Sequence, residues 1–247
     1  MEFLLVLTAA FGAGVLNTIA GGGTFLTFPA LVFIGVPPVI ANATSAVAVF
    51  PGYLGGAVGF RKELSGLDKR NMARLVAVTI VGGLIGALLL LISSNGAFSI
   101  VVPFLLLAAT LAFLLGDKVR KWAASKSRAV TPFGTFGLLL VSVYGGYFNG
   151  GLGIVLLALF ALWGMNNLHE MNGLKSGLSF ALSAISIVVF AIGGLVEWHY
   201  AIGMMIASTL GGYAGAPIAR ALPKSVIRAL IGLIGFSMSA VFFLRLI

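Results

Sequence analysis

The chain contains no cysteine, only two histidines and few charged residues. Without cysteine it forms neither disulfides nor thiolate metal sites, and cysteine redox chemistry is excluded. Charged residues make up 9% of the 247 positions, whereas soluble domains carry roughly 25% because most of their surface faces water. A chain so poor in charge cannot cover a water-facing surface. The composition therefore predicts that lipid surrounds most of the protein.

The same scarcity limits the chemistry that the chain can perform. Two histidines and six acidic residues, most of them between apolar runs, leave no credible metal site and no nucleophile–base set. We therefore expect no metal, no cofactor and no enzymatic activity. The net charge is +9, but the 15 basic residues lie in short gaps and form no continuous basic face. A nucleic-acid partner, which requires such a face, is not expected.

Long apolar runs are what the chain has in abundance: hydrophobic residues make up 60% of it. A bilayer core of about 30 Å is crossed by about 20 apolar residues as a helix, and continuous rather than alternating runs favour helices over barrel strands. Two shorter apolar segments, 25–36 and 154–165, each follow a glycine-rich break, which is typical of broken or re-entrant helices. The eight candidate spans are 3–19, 41–60, 72–92, 98–115, 133–147, 176–195, 200–219 and 226–246.

These segments predict an all-α polytopic membrane protein with about 8–10 membrane segments. Basic residues cluster in the gaps at 61–74 and 116–131, which two spans separate. The two gaps therefore share one side of the membrane, and the positive-inside rule makes that side cytoplasmic.

The chain partly matches itself when it is shifted by 129 residues. Residues 81–87 then fall on 210–216, and the glycine breaks align to within a few residues. We interpret this as a first repeat at 1–116, a basic cytoplasmic linker at 117–131 and a second repeat at 132–247. Equivalent loops carry opposite charge bias, which favours inverted repeats; if the short segments only re-enter, the repeats are parallel. The aligned glycines have small-xxx-small spacing, which predicts close helix packing, and they are Gly82, Gly86, Gly211 and Gly215.

Polar residues within the apolar segments concentrate in one region of each repeat. Such groups are costly in a membrane unless they have a partner or a task. The first repeat has a break at 21–24 followed by polar residues at 42–45, and the second has a break at 149–151 followed by polar residues at 172–176. We place both polar groups at helix starts, where N–H groups and the helix dipole favour an anion. Alternatively, Asn42, Thr44 and Ser45 only cap a helix.

Three ionisable residues near the second group each have two interpretations. Lys175 is either an interfacial lysine whose ammonium reaches towards water or the counter-charge for an anionic substrate. His169 and Glu170 are either a solvated loop pair or a group that couples transport to protons.

Three motifs of the sequence resemble the TauE/SafE family of sulfite exporters, also called the toluene sulfonate uptake permease family. They are the glycine-rich turn at 21–23, the apolar Pro-Leu segment at 25–31 and the small-residue element at 41–45. The resemblance is specific over residues 12–60. It is weaker over 144–180, where the residues at 150–153 are a degraded counterpart of the turn and no proline matches Pro29.

This resemblance implies a secondary transporter of small sulfur-containing anions, such as sulfite or sulfonates, in a bacterial or archaeal inner membrane. The substrate would lie between the two repeats and move by alternating access. The matching motifs assign substrate contacts to Gly21, Gly22, Gly23, Thr24, Asn42, Thr44 and Ser45. The repeat extends the assignment to Gly150, Gly151, Asn172, Lys175 and Ser176.

The expected partners are thus a sulfur oxyanion or organosulfonate and the lipid bilayer, and the sequence indicates no oligomeric state. No Gly-x4-Gly-Lys-Ser/Thr loop for ATP is present, so an ion or substrate gradient would supply the energy. The competing hypotheses are a non-transporting membrane scaffold or chaperone, and a transporter of another small organic anion.

Overall fold

The computed structural model describes residues 1–19, 22–59, 68–126, 133–221 and 224–244. Within these ranges the regular structure is entirely α-helical. In chain order the helices are α1 (Glu2–Ile19), α2 (Thr24–Phe33), α3 (Pro38–Gly59), α4 (Lys69–Ile92), α5 (Asn95–Leu114), α6 (Gly116–Ser125), α7 (Thr135–Phe148), α8 (Leu152–Leu162), α9 (Leu168–Ile192), α10 (Trp198–Ala221) and α11 (Lys224–Leu244).

Several helices begin at a residue that satisfies the first N–H groups. The Asp68 carboxylate accepts hydrogen bonds from the backbone N–H groups of Arg70 and Asn71, at 3.4 and 3.2 Å, and so caps α4. Ser94 caps α5 in the same way. Helix α3 begins at Pro38, whose fixed φ suits the first helical position and whose missing N–H needs no partner there.

The polar groups at 42–45 and 172–176 do not lie at helix starts, so that prediction is wrong. Helix α3 begins at Pro38, four residues before the polar group at 42–45. Helix α9 follows Asn167, which lies five residues before the polar group at 172–176. The helices extend beyond the apolar runs because these local signals, and not hydropathy, set where they begin. The misplaced residues are Asn42, Thr44, Ser45, Asn172, Lys175 and Ser176.

The helices present apolar side chains outwards. Phe136, Ile192 and Tyr213 are among the large side chains that project from the surface. By length and composition, three helices of the described ranges can cross a membrane: Lys69–Ile92, Asn95–Leu114 and His169–Ile192. Several of the remaining helices are shorter but equally apolar. This arrangement fits a polytopic membrane protein, as the composition predicted.

Helices α1 and α10 form a closely packed pair in which glycines allow the backbones to touch. A Cβ added at Gly14 would overlap the carbonyl oxygen of Ser208, and one added at Gly211 would overlap that of Phe11. The close packing predicted for Gly211 is therefore confirmed.

Helices α4 and α7 pack against each other in a similar way. A Cβ at Gly86 would overlap the carbonyl oxygen of Val143, and one at Gly82 would lie 2.9 Å from that of Leu139. The prediction for Gly82 and Gly86 is thus confirmed, whereas the surroundings of Gly215 lie outside the described residues.

The core is built around the aromatic rings of α2. The ring of Phe28 lies 6.4, 5.8 and 5.9 Å from those of Phe98, Phe148 and Phe242, which belong to α5, α7 and α11. Such ring pairs contribute beyond the apolar area that they bury. The short helix α2 is therefore held in the interior by three other helices, close to the break that precedes it.

Helix α6 lies within the segment expected to be a basic linker, and the sequence did not predict it. Its lysines at 118 and 121 are exposed, whereas Ala123 is fully buried, and the helix packs against α8. This one-sided distribution gives an amphipathic helix.

Candidate functional site

The connection between α1 and α2 is closed by an asparagine side chain. The backbone N–H of Gly23 donates a 2.8 Å hydrogen bond to Oδ1 of Asn17. A Cβ at Gly23 would lie 2.7 Å from the Asn17 amide nitrogen and 2.8 Å from the carbonyl oxygen of Ala13. Glycine is therefore required here for the close approach of the two helices. Gly22 and Thr24 on either side are buried, and Gly21 lies outside the described residues.

The connection between α7 and α8 adopts left-handed backbone conformations. Asn149 has φ +38° and Gly151 has φ +72°. Glycine takes this conformation at no steric cost, and asparagine tolerates it better than most residues. The hydroxyl of Tyr144 donates to the carbonyl oxygen of Gly150, and Gly150 and Gly151 are both buried.

The two connections are neighbours in space because both lie against α5. A Cβ at Gly22 would lie 3.6 Å from the ring of Phe113, and one at Gly151 would lie 3.1 Å from Cβ of Ala109. Residues 109 and 113 are four positions apart and therefore share one face of α5, one turn from each other.

Side chains of α3 join the elements around both connections. The hydroxyls of Ser45 and Thr27 are 2.5 Å apart, which links α3 to α2. The Asn42 amide nitrogen donates to the carbonyl oxygen of Tyr147 at 2.9 Å. The hydroxyl of Tyr53 donates to Oδ1 of Asn149 at 3.1 Å. One helix thus contacts residues next to both connections.

Asn42 does not have all its hydrogen-bonding groups satisfied. The residue is 2% exposed, and its Oδ1 has no hydrogen-bond partner among the described residues. A buried polar atom without a partner costs about 1–3 kcal/mol. A buried amide oxygen held in this state is suited to contact a ligand.

Thr44 makes a different contact from its two neighbours. Its hydroxyl accepts a 3.1 Å hydrogen bond from the backbone N–H of Glu197, just before α10. Thr44 is fully buried. Its described contact therefore holds α3 against the start of α10, away from the Asn42 and Ser45 contacts.

The second polar group lies just after the first turn of α9. The Lys175 ammonium donates to Oδ1 of Asn172 at 3.0 Å, within the same helix. Both residues are half-buried, and Ser176 is buried. Lys175 forms no ion pair with any residue of the described ranges. The structure thus brings Asn42 to Tyr147, three residues before Gly150, and Ser45 to Thr27 on α2, whereas the hydrogen bond of Lys175 stays within α9.

His169 and Glu170 lie in the first turn of α9. Oδ1 of Asn167 accepts from the N–H groups of His169 and Glu170, and the Asn167 amide donates to Oε1 of Glu170 at 3.1 Å. Glu170 therefore interacts reciprocally with the residue that caps the helix. Both interpretations of the pair, as solvated residues or as a proton-coupling group, stay predictions, and these capping contacts favour the first.

We expect Glu170→Gln to retain transport with an unchanged pH dependence and an unchanged melting temperature. Glutamine serves as well as glutamate at this position of a capping motif, because it also reaches back to the helix start. Flux in proteoliposomes with and without a pH gradient checks this result, with Asn167→Ala as the variant that loses the cap. Loss of gradient-driven flux in Glu170→Gln alone would instead assign proton coupling to the carboxylate.

Several polar groups of this region were missed by sequence reasoning. The carbonyl of Tyr147 has no sequence signature, and Tyr53 resembles any aromatic residue of a membrane helix. Ser179 and Ser183 on α9 are 1% and 0% exposed, and their hydroxyls have no partner among the described residues. Ser179 and Ser183 follow Ser176 by three and seven residues, which places the three serines on one face of a helix. This spacing is the sequence signal that could have identified them.

No group of three or more histidine, cysteine, aspartate or glutamate residues in the described part of the chain could hold a metal ion.

Comparison with known proteins identifies the family. The profile of the family described as Sulfite exporter TauE/SafE matches residues 6–242. The chain belongs to the TauE/SafE family. The resemblance in the glycine-rich turn and the element at 41–45 is thereby confirmed.

Relatives of this TauE/SafE protein carry names that describe membrane transporters. A "Probable membrane transporter protein" of Haemophilus influenzae is 30% identical over 244 residues, which cover 96% of this chain and 92% of the relative. "Probable membrane transporter protein YfcA" of Escherichia coli K12 is 28% identical over 230 residues, covering 92% and 84%. "Probable membrane transporter protein ORF9" of Sinorhizobium sp is 28% identical over 243 residues, covering 97% and 90%. No solved structure matches the chain significantly. The protein is therefore a membrane transporter by family.

Proposed function

We propose that the protein is a secondary transporter of small sulfur-containing anions, such as sulfite or a sulfonate, and a multi-pass protein of the inner membrane. The family description, Sulfite exporter TauE/SafE, supports the substrate class. The relatives' names support transport without specifying a substrate. The proposal assigns no catalytic residue and no cofactor.

The proposed architecture is two repeats, at 1–116 and 132–247, inserted in opposite orientations. In support, the second set of helices begins close to where a shift of 129 residues would place the first. Helices α2, α4 and α5 begin at residues 24, 69 and 95, and a shift of 129 moves these starts to 153, 198 and 224. Helices α8, α10 and α11 begin at residues 152, 198 and 224. The packing agrees, since α1 packs on α10 just as α7 packs on α4.

Asn42 carries the proposal for the binding site. It is buried, it bridges α3 of the first repeat to Tyr147 of the second, and its carboxamide oxygen has no partner among the described residues. We place the substrate beside it, between the two connections, where glycine lets backbone N–H groups approach closely. The site would comprise Gly21, Gly22, Gly23, Thr24, Asn42, Thr44, Ser45, Gly150, Gly151, Asn172, Lys175 and Ser176.

Movement of the substrate would follow from relative motion of the two repeats. A site between two symmetric halves opens to one side or the other when the halves rock about it.

Flux measured with purified protein in proteoliposomes tests this function. We expect saturable uptake of radiolabelled sulfite, with weaker uptake of sulfate, relative to liposomes without protein. Saturable flux of carboxylates alone would indicate a different organic anion. Absence of any saturable anion flux would defeat the transport claim and favour a scaffold or chaperone.

A further inference from the structure

Between residues 172 and 186, every polar side chain of α9 lies on one side of the helix. Successive residues of a helix are rotated by about 100°, so these positions fall within a sector about 100° wide, and no apolar residue of the stretch falls inside it. We call this set the α9 polar stripe. It extends about 21 Å along the helix axis, and it consists of Asn172, Lys175, Ser176, Ser179, Ser183 and Ser186.

The α9 polar stripe points between α3 and the α4–α7 pair. On one side of the stripe, Phe180 stacks on Phe50 of α3 with 4.9 Å between ring centroids. On the other side, Leu182 faces α7 and α4, since Cβ atoms added at Gly145 and Gly83 would lie 3.0 and 3.1 Å from its side chain. The stripe lies between these two directions on the helix surface.

Polar groups also join the two helices, α3 and α7, that flank the stripe. The two helices are bridged by the hydrogen bonds from Asn42 to the Tyr147 carbonyl and from Tyr53 to Asn149. Oδ1 of Asn42 on α3 is buried without a partner among the residues that the structure describes. A helix beside the stripe thus also carries a buried polar atom that a polar ligand could satisfy.

The hydroxyls of Ser179 and Ser183 remain available in the middle of the stripe. A serine in a helix can donate to the carbonyl four residues earlier, and Ser186 does so to Leu182 at 3.0 Å. Ser179 and Ser183, although almost fully buried, have no such bond and no other partner in the described ranges. Two donors are therefore free to hydrogen-bond the oxygens of an anion.

The stripe carries one ionisable side chain, that of Lys175. Its ammonium is bonded to the neutral amide of Asn172. A cation in this environment is costly unless a negative charge accompanies it. One ammonium balances one negative charge, so the stripe suits a monovalent anion better than a divalent one.

We propose that the α9 polar stripe is the surface along which a monovalent anion passes through the protein, with Lys175 balancing its charge and Ser179 and Ser183 donating hydrogen bonds to its oxygens. This inference rests on the transport function proposed above, and it adds the path and the charge of the substrate. Sulfonates and singly protonated sulfite have this charge, whereas sulfate does not.

Cysteine labelling tests the path without depending on sulfite flux. Because the chain has no cysteine, Ser179→Cys and Ser183→Cys each provide a single thiol. The matched control is Leu178→Cys. Leu178 is 1% exposed, like Ser179, but it is rotated about the helix axis by about 100° from Ser179, towards the apolar side. We expect a water-soluble anionic methanethiosulfonate reagent to modify both serine positions in proteoliposomes and to leave the leucine position unmodified.

The sign and size of the charge are tested on the same variants. We expect the anionic reagent to react at least about tenfold faster than a cationic reagent of similar size, because fixed charge concentrates counter-ions by about 10–1000-fold. Adding Lys175→Gln should remove that preference. Methanesulfonate should protect the thiols from modification, and sulfate at equal concentration should not.

The path is overturned if Ser179→Cys and Ser183→Cys react no faster than Leu178→Cys, since the stripe would then only pack. Reaction without a preference for the anionic reagent, or equal protection by sulfate, overturns the monovalent selectivity. Anion-selective labelling in a protein that transports no sulfur anion would refute the proposed substrate and leave the path standing.

Discussion

Replacing Gly211 by alanine is expected to lower the free energy of unfolding by about 3 kcal/mol, the upper end of the usual cost of overpacking. The added Cβ would overlap the carbonyl oxygen of Phe11 and lie 2.7 Å from its carbonyl carbon. Both are backbone atoms, so no side chain can rotate away, and α1 and α10 must separate. Gly86→Ala should have a similar effect, because its Cβ would overlap the carbonyl oxygen of Val143 between α4 and α7.

The matched control for both glycines is Gly177→Ala. Gly177 also lies within a helix, α9, but a Cβ there would meet no atom within 4 Å. Alanine is the better helix former by about 1 kcal/mol, so this variant should be as stable as the parent or more stable. Thermal unfolding in detergent, followed by size-exclusion chromatography, measures all three. Equal melting temperatures for Gly211→Ala and Gly177→Ala would contradict the tight contact.

Replacing Asn42 by alanine is expected to reduce anion flux at least about tenfold, which corresponds to the loss of one hydrogen bond to a charged group at about 1.5–3 kcal/mol. The substitution removes the amide that bridges α3 to the Tyr147 carbonyl. It also removes the buried Oδ1 that has no partner in the described residues. Both the ligand contact and the link between the proposed repeats are thereby lost.

Ser208→Ala separates a loss of binding from a loss of stability. The Ser208 hydroxyl donates at 2.6 Å to the carbonyl of Ala48, which is also on α3, so this variant also removes a hydrogen bond from a side chain to a carbonyl that joins α3 to another helix. Flux normalised to folded protein should fall for Asn42→Ala and be nearly unchanged for Ser208→Ala. If the two variants lose flux in parallel with their melting temperatures, Asn42 has a structural role only.

Hydropathy predicted the helices well, because the bilayer forces apolar runs into helices. The short segments expected at 25–36 and 154–165 are helices at Thr24–Phe33 and Leu152–Leu162. The sequence places the starts of α3 and α9 too late. The span predicted at 41–60 omits Pro38, which begins α3, and Asn167 lies in polar sequence that an apolar window excludes. Helix α6 was missed because its charged face resembled a linker.

The contacts of the candidate site were harder to predict. Asn42 and Ser45 were identified as polar residues in an apolar run, but nothing in the sequence indicated which groups they would meet. Asn42 contacts a backbone carbonyl 105 positions away, and Tyr53 contacts Asn149 at a separation of 96. A main-chain acceptor is the same at every residue, so such a partner follows only from the tertiary fold.

The pairing of α1 with α10 also has a consequence for synthesis. Gly14 meets Ser208, 194 positions later in the chain. A nascent protein emerges from the ribosome in order, so α1 enters the membrane long before its partner has been translated. Its small-residue face must spend that interval against lipid or a temporary neighbour. Contacts between such distant positions form slowly, and large proteins pass through intermediates that are exposed to misassembly. A helix translated much later thus completes the packing of α1.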